Sequence, residues 1–150
     1  MKKFKKILFP VDLSESSEKI VPYVQSMAEN FDAAIHLLFA AGAFEYFTSI
    51  YVPHRSINKF EHEIIEGAEK KLYEFMDKHF KEFQGTKATV VAGDASEEIV
   101  KYIESKKIDV VVRGTHGRKG LDKVMFGSVA ERVIKTSPIP VLVVNPHKAG

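Results

Sequence analysis

Cysteine is absent from all 150 residues. That removes disulfides, thiolate nucleophiles and cysteine-based metal sites together. Charge of one sign is scarce as well: the formal net charge is +2, with acidic and basic residues mixed along the chain. A nucleic-acid binder shows a clustered basic face, so no nucleic acid is expected as a partner. Long apolar runs are also missing, and no stretch approaches the roughly 18 residues of a membrane span, so no membrane is expected either. The lysine-rich start leads only into Ile7-Leu8-Phe9 before Pro10 and Asp12. That run is too short for an export signal, and a cytoplasmic protein is expected. His36, His54, His62 and His79 show no ligand spacing with one another. No metal site of the protein's own is assigned.

What is present reads as an ordinary globular chain, 45% apolar and 28% charged. Its length suits one domain over residues 1–150, burying about 70% of its unfolded surface. The apolar run at residues 4–9 suits a central strand covered on both faces. Caps at residues 14–17 precede Ile20, Val21, Val24, Met27, Ala28 and Phe31 at helical spacing. Pro22 lies inside that pattern and predicts a kink or a late helix start. A second strand is expected at 33–40, then an irregular stretch at 41–57 carrying Phe44, Tyr46, Phe47 and Tyr51. Stretches of that length are often functional or interfacial, and a lid or dimer contact is expected there.

Phe60, Ile64, Ile65, Ala68, Leu72, Phe75, Met76, Phe80 and Phe83 then mark the core face of a long helix. Strand three is expected at 88–92, followed by a turn at Gly93-Asp94 and a short helix carrying Ile99, Val100 and Ile103. Strand four is expected at 108–113, then a helix opening at Ser128 and finishing near Ser137-Pro138, then strand five from Ile139 to Val144. Ser128 and Glu131 have the spacing of a capping box. Alternating strands and helices predict an α/β fold: an open five-stranded parallel sheet, order 3-2-1-4-5, with helices on both faces.

The chemistry concentrates after the fourth strand, in Gly114-Thr115-His116-Gly117 followed, after nine intervening residues, by Gly127-Ser128. This is neither the Rossmann nor the Walker spacing. Glycines admit close approach by a phosphate, and free amides at a helix start favour its charge. In open α/β sheets ligands bind beyond the strand ends where strand order reverses. Asp12 after strand one and the glycine loop after strand four would face one crevice. The loop glycines and the amides of Ser128 and Val129 would hold phosphates, Asp12 a ribose hydroxyl or an adenine amine. Arg118 and Lys119 would screen phosphate charge. Plainer readings stand beside these: Asp12 as a cap of the first helix, His116 as a loop residue, Ser128 as a helix cap.

The chain resembles the universal stress proteins of the ATP-binding kind over essentially its whole length. The resemblance rests on Ile7-Leu8-Phe9-Pro10-Val11-Asp12, on Asp109 through Gly117, on Gly127-Ser128-Val129-Ala130-Glu131-Arg132-Val133 and on Pro138 through Val144. It implies an adenine nucleotide alpha-hydrolase-like sheet, ATP in the crevice, and Mg²⁺ or Mn²⁺ accompanying the triphosphate. It also implies a homodimer paired through the last strand, Ile139 to Val144. Carried over, Asp12 and the backbone of Val11 and Ala40 contact the nucleoside. Gly114, His116, Gly117, Gly127, Ser128 and Val129 line the phosphates. Pro10, Arg113 and Ala130 complete the nucleotide-binding set.

Two departures from the family stand out: Phe39-Ala40 replaces a common His-Val, and Arg113 replaces an apolar residue. The arginine would sit beside the base pocket, stacking on adenine or pairing with Asp12. The reading that follows is ATP as a regulatory ligand in the stress response. A slow ATP hydrolase or nucleotidyl transferase is the alternative. Only His116, Arg118 and Asp12 are candidates for it, without a recognisable catalytic arrangement, so no catalytic residue is assigned. A dimeric interaction module without nucleotide is the third reading, against which the intact glycine spacing argues.

Overall fold

In a computed structural model, residues 1–42, 54–115 (side chains from 59) and 127–148 are described. Along the chain run β1 (Lys6–Pro10), α1 (Glu15–Phe31), β2 (Ala34–Ala41), α2 (His54–Phe80) and β3 (Lys87–Ala92). There follow α3 (Ala95–Lys106), β4 (Val110–Gly114), α4 (Ser128–Thr136) and β5 (Val141–Val144). The strands form one sheet in the order β3-β2-β1-β4-β5, every pair parallel. The predicted architecture is the observed one.

Burial explains the topology. Ile7, Leu8 and Phe9 are consecutive and essentially inaccessible, so β1 is covered on both faces, as its unbroken apolar run requires. Alternate side chains feed two separate cores. Ile7, Phe9, Leu37, Val110 and Val112 pack with α1 and α2, while Leu8, Leu38 and Val111 pack with α3 and α4. Phe9, Phe75 and Phe80 form a ring cluster with centroids 6.2–6.3 Å apart. Burying one such ring is worth about 2–3 kcal/mol. The start of β1 is clamped by the Asp109 carboxylate, which accepts from the amides of Lys5 and Lys6, each at 2.9 Å.

Several local expectations are corrected. The first helix does not start late: it begins at Glu15, capped by Ser14, and runs through Pro22. The ring removes one hydrogen bond, to the Glu18 carbonyl, and Ile20, Val21 and Val24 buried around it hold the helix together. The stripe of α2 is core only from Ala68 onward, Phe60 being exposed. At 27 residues the helix is about 40 Å long, whereas strands of this sheet, four to eight residues each, span about 13–27 Å, so it outruns them. The irregular stretch 41–57 is shorter than expected, since Ala41 ends β2 and His54 opens α2. Residues 43–53, with the lid or dimer contact expected of them, lie outside the described residues. Strands β4 and β5 begin two residues late, at Val110 and Val141. Pro140 stands just before β5, where its carbonyl still accepts from the Val111 amide at 3.0 Å. No described helix is long and apolar enough to cross a membrane.

His36 is buried on β2, its Nδ1 sharing a 2.7 Å hydrogen bond with the Tyr102 hydroxyl. Burial pushes this imidazole below its ordinary pKa, and the charges of Lys87, Lys6 and Lys106 add to the effect. The unfolded chain therefore takes up this proton first as pH falls. The contribution of His36 to stability is complete above the unfolded value of about 6.5 and is lost below it. Melting temperature should fall as pH drops below about 6.5, and His36→Phe should flatten that slope, measured by circular dichroism.

Candidate functional site

The strand order reverses between β2 and β4, on either side of β1. Helices depart to opposite faces there, so the carboxyl ends of β1 and β4 border an open crevice. Three strand ends and one helix start converge on it.

On the β1 side the chain leaves Pro10 through Val11, whose amide donates to the Leu38 carbonyl at 2.9 Å. Asp12 Oδ1 then accepts from the Ser14 amide (3.0 Å), the Ser14 hydroxyl (2.6 Å) and the Ser17 hydroxyl (2.7 Å). Leu13 between them has φ 63°, a left-handed conformation costing a branched residue about 1–2 kcal/mol. The hydrogen bonds into Asp12 hold it there. Asp12 is therefore not the cap of α1, a role that Ser14 fills by accepting from the Ser16 amide. Its second oxygen, Oδ2, is buried and without a partner. Sequence reasoning missed Ser17 as the residue that fixes this carboxylate; a serine five positions on gave no separate signal.

On the β2 side, Leu38 turns its peptide toward β1, while the Ala41 carbonyl accepts from Gly93 at the end of β3, 3.3 Å away. Peptides alternate in direction along a strand, so Ala40 faces as Leu38 does. Since the β1–β2 register ends at Pro10 opposite Leu38, the N–H and C=O of Ala40 are directed to the crevice side, beyond that ladder.

On the β4 side, Arg113 is nine-tenths buried. Its Nε donates to the Gly114 carbonyl at 3.1 Å, and its Nη1 is buried without a partner. Burial pushes the guanidinium down to about 10, with the charge of Asp12 working in the opposite direction. Arg113 remains charged at neutral pH. The expected direct pairing with Asp12 does not form: no ion pair within 4.0 Å joins them among the described residues.

Beyond Gly114, the Thr115 amide donates to the Val144 carbonyl and the Thr115 carbonyl accepts from the Gly127 amide, both at 2.9 Å. Gly127 is the N-cap of α4, with no side chain capping the helix. The predicted capping box is therefore not formed. The helix begins at Ser128 itself, one residue earlier than a serine cap requires, and Glu131 instead pairs with Lys135 at 2.9 Å. Amides of Ser128, Val129 and Ala130 are left at an uncapped helix start. Gly127 has φ −61°, which any residue adopts, so its backbone conformation does not require glycine. His116 and Gly117, with Arg118 and Lys119, lie outside the described residues.

The arrangement is that of parallel α/β proteins with a polar ligand crevice at the point where strand order reverses. The model of the "Universal stress protein family" matches residues 3–145. Universal stress protein MJ0577 of Methanocaldococcus jannaschii is 31% identical over 95% of this chain and 95% of its own length. Its solved structure has a TM-score of 0.84, covering 96% of this chain and 97% of that one. The chain belongs to the universal stress protein family. Two more distant members share the fold: a universal stress protein in complex with cAMP (TM-score 0.68, 20% identity, 97% and 99% covered) and that of Archaeoglobus fulgidus in complex with dAMP (0.66, 18%, 96% and 100%).

Asp12→Ala would strand the three donors that converge on Oδ1. It should lower unfolding stability by about 2 kcal/mol in urea denaturation, and Asp12→Asn, which keeps one acceptor oxygen, should restore more than half of that.

Proposed function

We propose that the crevice binds an adenine nucleotide, with ATP as a regulatory ligand of the stress response in the cytoplasm. The observation that carries this is the order of polar groups from the end of β2 to the start of α4. The N–H and C=O of Ala40, directed to the crevice side beyond the β1–β2 register, match the acceptor–donor edge of an adenine. The partnerless Asp12 Oδ2 suits a ribose hydroxyl. The uncapped start of α4 suits phosphate, through amides and the end of the helix dipole. Base, sugar and phosphate thus follow in the sequence a nucleotide presents them. The complexes of relatives with cAMP and dAMP support the same class of ligand. Pro10, Val11, Gly114, His116 and Gly117 complete the proposed lining. Among the described residues no three carboxylate or imidazole groups assemble as metal ligands. Mg²⁺ or Mn²⁺ would therefore be held chiefly by the distal phosphates of the triphosphate.

Saturating ATP at a hundred times its dissociation constant adds about 2.7 kcal/mol of stability. A thermal-shift assay should show a clear rise in melting temperature with ATP, and the Gly117→Val, Gly127→Val double variant should lose it. A wild-type protein unmoved by every adenine nucleotide would end the proposal.

The second part of the reading is a homodimer through the last strand. Strand β5 is an edge of the sheet, paired among the described residues only with β4, and Leu142 on it is 41% exposed. An apolar edge strand invites pairing with another copy. Leu142→Lys should shift the mass measured by light scattering from two chains to one. A wild-type protein that already runs as one chain would exclude the dimer.

A further inference from the structure

The crevice holds a feature whose ligand group the nucleotide reading leaves open: a buried cation with no counter-anion in contact among the described residues. Arg113 lies on β4 two residues after Val111, hence on the same face of the sheet. That face is the one on which α4 packs, since Val111 and Val133 share one apolar cluster. The hydrogen bond from Gly127 to Thr115 brings the start of α4 beside the end of the same strand. Nη1 has no partner, and Asp12, the carboxylate whose charge acts on it, commits one oxygen to Ser14 and Ser17 and makes no direct ion pair with it. A buried charge left this way is costly, and a guanidinium fits phosphate oxygens well.

The geometry points to Arg113 as the residue that binds the first phosphate of the nucleotide, so that mono- and diphosphates are held without a divalent cation. This rests on the nucleotide reading above. A base at Ala40 on β2 and a sugar over Asp12 on β1 leave the first phosphate to emerge at β4, beside Arg113 and the free amides of α4. A neutral base edge would satisfy the hydrogen-bonding capacity of Nη1 but not its charge, whereas phosphate satisfies both. The metal then serves only the distal phosphates of ATP.

Calorimetric titration of the full chain with adenosine, AMP and ADP, each in excess EDTA and in excess Mg²⁺, tests this. Wild-type protein should bind AMP and ADP equally well in both media. Arg113→Met should weaken AMP roughly ten- to hundredfold while leaving adenosine unchanged, and Arg113→Lys should recover part of the loss. Circular dichroism melts of both variants check that they are folded. AMP binding that is unaltered in folded Arg113→Met overturns the assignment and leaves the nucleotide reading standing. So does an equal loss for adenosine and AMP, or a wild-type requirement for Mg²⁺ with AMP. Wild-type protein that binds none of the three removes the nucleotide reading and this inference together.

Discussion

The structure depends on one constraint: Ile7, Leu8 and Phe9 of β1 are buried on both faces of the sheet at once. A strand in that position needs helices above and below, and consecutive right-handed crossovers meet the need only by building outward in two directions from it. Helices α1 and α2 cover one face, α3 and α4 the other. The crevice at the end of β1 is the geometric consequence, because neighbouring chains must leave to opposite sides there. Core and site are two results of the same packing requirement.

At the crevice the protein keeps polar groups poised at some cost to itself. Leu13 sits in a left-handed conformation, Asp12 Oδ2 and Arg113 Nη1 are buried without partners, and α4 starts without a capping side chain. Each is unfavourable taken alone. The apolar clusters beneath, extending from Phe9 and Val112 on one face and Leu8 and Val111 on the other, are large enough to sustain them. Unsatisfied groups gathered where two strands diverge are what a proposed polyanionic ligand would find useful, since the cost of desolvating them is met in folding rather than at binding.

Most of the fold was legible in the residues, and the reasons are specific. The run Ile7-Leu8-Phe9 marks a doubly covered strand, and the helical spacing of Ile20, Val24 and Ala28 marks a face of α1. Both signals arise from burial, which acts on every residue of an element together. Boundaries were less legible, because one hydrogen bond decides them. Pro22 is accommodated within α1 by surrounding core contacts, and the Thr115 to Gly127 bond moves the start of α4 so that Ser128 no longer caps it. The site was legible as a place and only partly as chemistry. Asp12 and Gly127 were marked by type and spacing, whereas the hydrogen bonds from Ser14 and Ser17 to one carboxylate oxygen depend on how the turn at Leu13 folds.

The sequence by itself determined the alternation of strands and helices, the parallel sheet and the end of it at which a ligand crevice would open. Periodicity and the twofold burial of a central strand leave few topologies open, so these follow without coordinates. Only the tertiary structure decided which polar atoms are spent and which are left over. Asp12 uses one oxygen on its own loop and keeps the other, and Arg113 is buried beside that carboxylate without touching it. Hydrogen-bond partnership is a matter of a few tenths of an ångström between residues about a hundred positions apart, a distance along the chain over which residue type and spacing carry no information.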